Sequence, residues 1–127
     1  MKTKMVYVLV SNDKDYYLEQ AYVSMFSLKK YNPKAQIYVV ADQDTVDGIK
    51  SNSIRQKLSV YVDSFISVDF DKTVGLKERS RFLKTTLRKH VDGDFLFLDT
   101  DTIICDSLSE IDNWNIDLGI VLDLHSH

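Results

Sequence analysis

Apolar residues along the chain fall into short dense runs, separated by longer stretches in which they recur every three or four positions. The dense runs are MVYVLV (Met5–Val10), QIYVVA (Gln36–Ala41), FISV (Phe65–Val68), FLFL (Phe95–Leu98) and LGIVL (Leu118–Leu122). The first has the compact β-branched content of a strand covered on both faces, the second reads as another buried strand, and the other three read as strands. After the first run, Leu18, Ala21, Tyr22, Met25 and Leu28 recur at helical spacing, and Asn32-Pro33 closes that helix. A second helix is predicted over Lys77–Val91. Its apolar face carries Phe82, Leu83, Thr86, Leu87 and Val91, and Arg79, Arg81, Lys84, Arg88 and Lys89 occupy the rest. Residues 43–58 predict one weak helix or two short ones, and Leu108–Ile111 a short one. Asp92-Gly93 reads as a turn before the fourth strand.

This alternation of strands and helices predicts an α/β fold, a mostly parallel sheet flanked by helices. The 127 residues suit one domain, without repeats, low-complexity tracts or a linker. In such sheets ligands bind beyond the carboxyl ends of the strands. Ser11-Asn12-Asp13, Asp42 and Asp99-Thr100-Asp101 all fall at those ends.

Composition changes this picture little, being 44% hydrophobic and 28% charged. The net charge of −3 argues against a nucleic-acid binder, which would need a basic face. Cys105 is the single cysteine, so there is no intramolecular disulfide and no C-x-x-C zinc site, and a reduced cytoplasmic setting is expected. The start, MKTKMVYVLVSND, has the basic head and apolar run of a signal peptide. The run is only six residues, however, and passes straight into polar sequence without a small-residue cleavage site. It reads as a first strand. No run reaches the length of a membrane span, which leaves peripheral membrane contact open.

Aspartate supplies the candidate chemistry. Five D-x-D triplets occur: Asp13/Asp15, Asp42/Asp44, Asp69/Asp71, Asp92/Asp94 and Asp99/Asp101. The triplet alone means little, because Asp forms turns and caps, and most of these pairs read as strand-end or helix-start punctuation. Asp99/Asp101 stands at the tip of the FLFL run. In an extended backbone the two side chains would face the same way, about 6.5–7 Å apart. Mg²⁺ or Mn²⁺ favours oxygen ligands and takes one or two carboxylates plus substrate phosphates. The pair is therefore expected either to hold a metal that holds a phosphate or to be solvated loop acids capping the segment at Ser107. One metal–phosphate chemistry with this pattern is the phosphohydrolase type, in which the first Asp attacks phosphorus. It usually continues Gly-Thr and needs a later Lys; here Thr102-Ile103 follow, and no Lys lies beyond Asp101.

Four segments in order carry a resemblance. They are VYVLVSND with Tyr17 and SMFSLKKYNP; QIYVVAD; RSRFLKTTLRKHVDGDFLFLDTDTIICDSLSEI; and IDLGIVLD. Together they resemble the amino-terminal half of a GT-A-fold glycosyltransferase of family 8, the glycogenin and bacterial lipopolysaccharide galactosyltransferase type. The third segment is the specific one. The resemblance implies a Rossmann-like nucleotide-diphospho-sugar transferase fold, here truncated after the fifth strand. It implies a retaining transfer of a hexose from a UDP-sugar to an unknown acceptor, dependent on Mn²⁺ or Mg²⁺ held by Asp99 and Asp101. It assigns uracil and ribose to the backbone of Leu9, Val10, Ser11 and Asn12. Stacking on uracil falls to Tyr17, with Tyr16 one step away, and the diphosphate to Arg81, with Lys84 second. Thr100 would meet ribose through its backbone, and Asp123 the donor sugar.

No catalytic nucleophile is assigned by the resemblance. Family members continue past this point with a Phe-Asn-(Ala/Ser)-Gly-Val stretch, acceptor elements and a later metal-binding His. His125 and His127 lie too early to match that His, and His90 reads as an ordinary half-buried residue. Two expectations follow: a metal-dependent glycosyltransferase or its donor-binding half, or a nucleotide- or metal-binding module without turnover. A sheet cut short in this way would leave an exposed edge, which homo-oligomerisation would cover.

Overall fold

The computed structural model describes residues 2–114. The predicted fifth strand, Asp123, His125 and His127 lie outside the described residues. Four strands, β1 (Lys4–Leu9), β2 (Ile37–Asp42), β3 (Ser64–Val68) and β4 (Phe95–Phe97), form one sheet in the order β3-β2-β1-β4, every pair parallel. The helices are α1 (Tyr17–Tyr31), α2 (Gln43–Lys50), α3 (Leu76–Thr85) and α4 (Leu87–His90), with 3-10 turns at Arg55–Tyr61 and Ser109–Asn113.

β1 is the centre of the sheet, and its side chains alternate between two cores. Met5, Tyr7 and Leu9 pack with Leu18, Ala21, Met25 and Leu28 of α1 and with Val46, Ile49 and Leu58. Val6, Val8 and Val10 face the opposite side and pack with Leu83, Leu87 and Val91. A strand buried on both faces needs an unbroken apolar run, and this is why MVYVLV shows no polar alternation. Each such side chain, fully buried, contributes about 1.5–3 kcal/mol.

Several sequence expectations shift. The helix predicted over Lys77–Val91 breaks at Thr86, whose φ of −117° and ψ of 17° are not helical. Thr85 and Thr86 both turn their hydroxyls back to the carbonyl of Phe82, at 3.0 and 2.7 Å. Two adjacent β-branched residues bonded in this way interrupt the ladder. The buried residues of α3 are Arg79 and Leu83, one turn apart. Phe82, predicted on the apolar face, is exposed and sets its edge on Phe70, with ring centroids 5.6 Å apart. Arg79, predicted on the polar face, is buried. β4 ends at Phe97, two residues before Asp99.

Candidate functional site

The order β3-β2-β1-β4 reverses direction between β1 and β4, because the chain runs outward from β1 to β3 and then crosses back to β1's other side. At such a reversal the loops leaving the carboxyl ends of the two strands part and open a crevice. A cleft of about 510 Å³ lies there. Leu9 and Val10 line it from the end of β1, Asp15 and Tyr17 from the following loop and α1, Lys77, Arg81 and Lys84 from α3, and Asp99 and Thr100 from beyond β4.

Each wall has a local cause. The β1–α1 loop is clamped by Asp15, an acid that in the sequence reads only as turn or cap punctuation. Its carboxylate accepts from the Ser11 hydroxyl (2.6 Å) and from the backbone N–H groups of Asn12 (2.9 Å) and Tyr17 (3.1 Å). An acid two residues ahead of a helix start is the signal that could have found it. The clamp sets Tyr17 on the cleft wall, half exposed, while Tyr16 is 77% exposed and lines no part of it. Lys77, Arg81 and Lys84 recur at four- and three-residue spacing on α3, so they share one face.

Asp99 begins a tight turn. Its carbonyl accepts from Thr102 N–H at 3.2 Å and from the Thr102 hydroxyl at 2.7 Å. The extended geometry expected for Asp99 and Asp101 is therefore replaced by a four-residue turn. Asp99 reaches the cleft, with its Oδ1 3.7 Å from Lys84 Nζ. Asp101 is exposed in the same turn. Among the described residues no group of three or more His, Cys, Asp or Glu side chains converges as a metal site. The turn nonetheless carries two carboxylates, Asp99 on the cleft beside Lys84 and Asp101 outside the cleft lining. That set fits a divalent ion whose remaining ligands are phosphate and water.

Ser11 and Asn12 stand apart from the main cleft. They line a neighbouring one of about 310 Å³, together with Asp42, Asp44, Thr45, Asn52 and Arg55. The buried Arg55 donates to Ser11 Oγ at 3.0 Å and lies 3.6 Å from Glu19. Beside this second cleft, Arg79 Nη1 donates to both Asp42 and Asp44, each at 2.8 Å. Those bonds, to Asp44 and then to Asp42, raise the guanidinium pKa above its ordinary value. Asp42 also takes the Thr45 hydroxyl, and the Phe70 ring lies 5.6 Å from the Arg79 guanidinium.

No protein-family model matches the chain, and no curated protein matches it. Solved structures do. The crystal structure of the galactosyltransferase LgtC in complex with donor and acceptor sugar analogs superposes with a TM-score of 0.57 at 16% sequence identity. The match covers 92% of this chain and 44% of that one. The fold is GT-A. Its four described strands form the Rossmann-like sheet of that architecture, and the chain spans less than half the length of the galactosyltransferase. Among the described residues no helix is long and apolar enough to cross a membrane.

Proposed function

We propose that this chain is the donor-binding part of a glycosyltransferase that transfers a hexose from a UDP-sugar to a saccharide or other acceptor. One observation carries the reading. Six residues singled out from the sequence, Leu9, Val10, Tyr17, Arg81, Asp99 and Thr100, come from three distant segments and line one cleft at the switch point of the sheet. The structural neighbour supports it, since that galactosyltransferase was crystallised with donor and acceptor sugar analogs.

In this reading Tyr17 offers a planar face to the uracil. Arg81 takes the diphosphate through its planar fork, and Lys77 and Lys84 add point charges on the same wall. Asp99 and Asp101 would hold Mn²⁺ or Mg²⁺, which would supply positive charge to the leaving diphosphate. Lys84, half-exposed in the same cleft, would meet phosphate beside Asp99. Fixed cations along the leaving group lower the barrier because they are already in place when charge develops there. Outside the main cleft, the polar surface with Ser11 and Asn12 borders the same loop and meets the nucleoside end of the donor. Asp123 belongs to the donor sugar. Transfer with retained anomeric configuration, in which no residue described here acts as nucleophile, completes the proposal.

The test is calorimetric titration of UDP into the chain with Mn²⁺, with chelator, and with Asp101→Ala. Binding that needs Mn²⁺ and weakens at least tenfold in the variant is expected. Equal affinity with and without the metal removes the metal from the proposal. Absence of binding under every condition removes the donor site.

A further inference from the structure

A chain of hydroxyls runs from the middle of the core to the turn that carries both carboxylates. Tyr7 OH lies 2.7 Å from Ser24 Oγ, and Ser24 Oγ lies 3.0 Å from Thr102 Oγ1. Thr102 Oγ1 in turn lies 2.7 Å from the carbonyl oxygen of Asp99. A carbonyl only accepts, so Thr102 must donate its one hydroxyl proton there. It is then an acceptor towards Ser24, and Ser24 an acceptor towards Tyr7. The direction of all three bonds follows. Burial pushes the Tyr7 phenol up to about 12, so it stays a donor throughout the working pH range.

Ser27 of α1 and Asn32, at the helix's carboxyl-terminal cap, hold the rest of the segment after the turn. Ser27 Oγ accepts from Ile104 N–H at 2.9 Å, and Asn32 Oδ1 accepts from Leu108 N–H at 2.8 Å. Asn32 Nδ2 also donates to the carbonyl of Asp106 at 3.4 Å. Residues 103–105 and 107–108 belong to no strand, helix or turn, so their backbone groups require partners from elsewhere. Ser24, Ser27 and Asn32 are all buried, the two serines among Leu18, Ala21, Met25 and Leu28 of α1 and Asn32 at its carboxyl-terminal cap. Buried hydroxyls and amides weaken a core unless bonded, and here each of the three side chains spends at least one bond on residues 102–108.

We propose that Tyr7, Ser24 and Thr102 are positioning residues for the donor site: their hydroxyl chain fixes the Asp99–Thr102 turn and with it the pose of the Asp99 and Asp101 carboxylates. The inference rests on the donor-site reading above. A merely structural contact would change stability alone. A positioning contact changes the metal-dependent part of ligand affinity and is restored by a residue that keeps the hydroxyl.

The experiment compares wild type with Thr102→Val, Thr102→Ser and Ser24→Ala. Each is titrated with Mn²⁺ alone, followed by electron paramagnetic resonance of the free ion, and with UDP plus Mn²⁺ by calorimetry; thermal melting is recorded alongside. Thr102→Val keeps the shape and removes the donor. It is expected to weaken both affinities at least fivefold, Ser24→Ala to do so by less, and Thr102→Ser to stay within twofold of wild type. Should Thr102→Val fail to fold, the comparison of Ser24→Ala with Thr102→Ser decides. Wild type that binds both ligands while Thr102→Val and Ser24→Ala bind them equally well overturns this inference and leaves the donor site standing. Wild type that binds neither Mn²⁺ nor UDP overturns the donor-site reading, and this inference falls with it.

Discussion

Asp42 and Asp99 share a local plan and have opposite surroundings. Each stands at or just past the carboxyl end of a parallel strand, each opens a D-x-D triplet, and each faces a cation from α3. Asp42 is 1% exposed, and Arg79, itself buried, donates to it at 2.8 Å. The side chains of Asp99 and Lys84 are 57% and 46% exposed, and their charged atoms are 3.7 Å apart. A desolvated pair with short bonds has nothing to gain from a ligand and would be costly to open. A solvated pair at longer range holds its partners weakly, so phosphate or a metal can displace either one. The same sequence pattern thus ties elements together at one strand end and leaves charge available at another.

The sharpest way to break this comparison is to remove each cation. Arg79→Met leaves Asp42 buried without its partner and is expected to cost about 3 kcal/mol in urea unfolding. Lys84→Met is expected to change stability by less than about 1 kcal/mol. Equal losses would mean that the two sites do not differ in kind. The aromatic wall of the open site gives a smaller effect. Tyr17→Ala is expected to weaken UDP about tenfold in calorimetry, from the loss of roughly 1–3 kcal/mol of base stacking. Tyr16→Ala, outside the cleft, should leave the affinity unchanged, and a reversed order would move the stacking role to Tyr16.

The smallest effect gauges what a half-buried acid contributes chiefly through hydrogen bonds. Asp112 is bonded to Thr3 and to the backbone N–H of Lys2 (3.0 Å) and Thr3 (2.8 Å), which hold its pKa below the ordinary 3.8. Its stabilisation is complete above that value and is lost as pH falls from there through the folded-state pKa. Asp112→Asn should therefore lower the melting temperature slightly at pH 7, and the difference from wild type should vanish in strong acid.

β1 and β2 were legible because burial on both faces writes an unbroken apolar run, and β3 and β4, half-buried at the edges of the sheet, because shorter apolar runs remain there. Their order was not written in any one run. It emerges from pairings such as Lys4 with Phe95, between residues far apart in the chain. At the site, Asp99 stood out by its place after an apolar run, Tyr17 and Arg81 only through the family resemblance, and all three line one cleft. Arg79 was misplaced because a charge on a helix reads as solvated until its partners appear, and Asp42 and Asp44 arrive through the fold rather than through spacing. The Asp99–Thr102 turn was hidden for a related reason. The acids signal a strand end, but the bond that curls the backbone comes from Thr102, which is itself held by Ser24 of another element.

The central position of β1 has a consequence for the order in which the molecule is made. During synthesis β1, α1 and β2 emerge together and can pair early, whereas β4 joins β1 only after some ninety further residues have been added, as the Lys4–Phe95 pairing requires. The edge of β1 that β4 will occupy waits open through most of translation, and the hydroxyl and amide groups of Ser24, Ser27 and Asn32 wait beside it. The cleft therefore closes late, after β4 has joined the sheet. A nascent chain halted before Phe95 would contain most of the hydrophobic core but neither β4 nor the Asp99–Thr102 turn, and its uncovered strand would be the surface a chaperone has to shield.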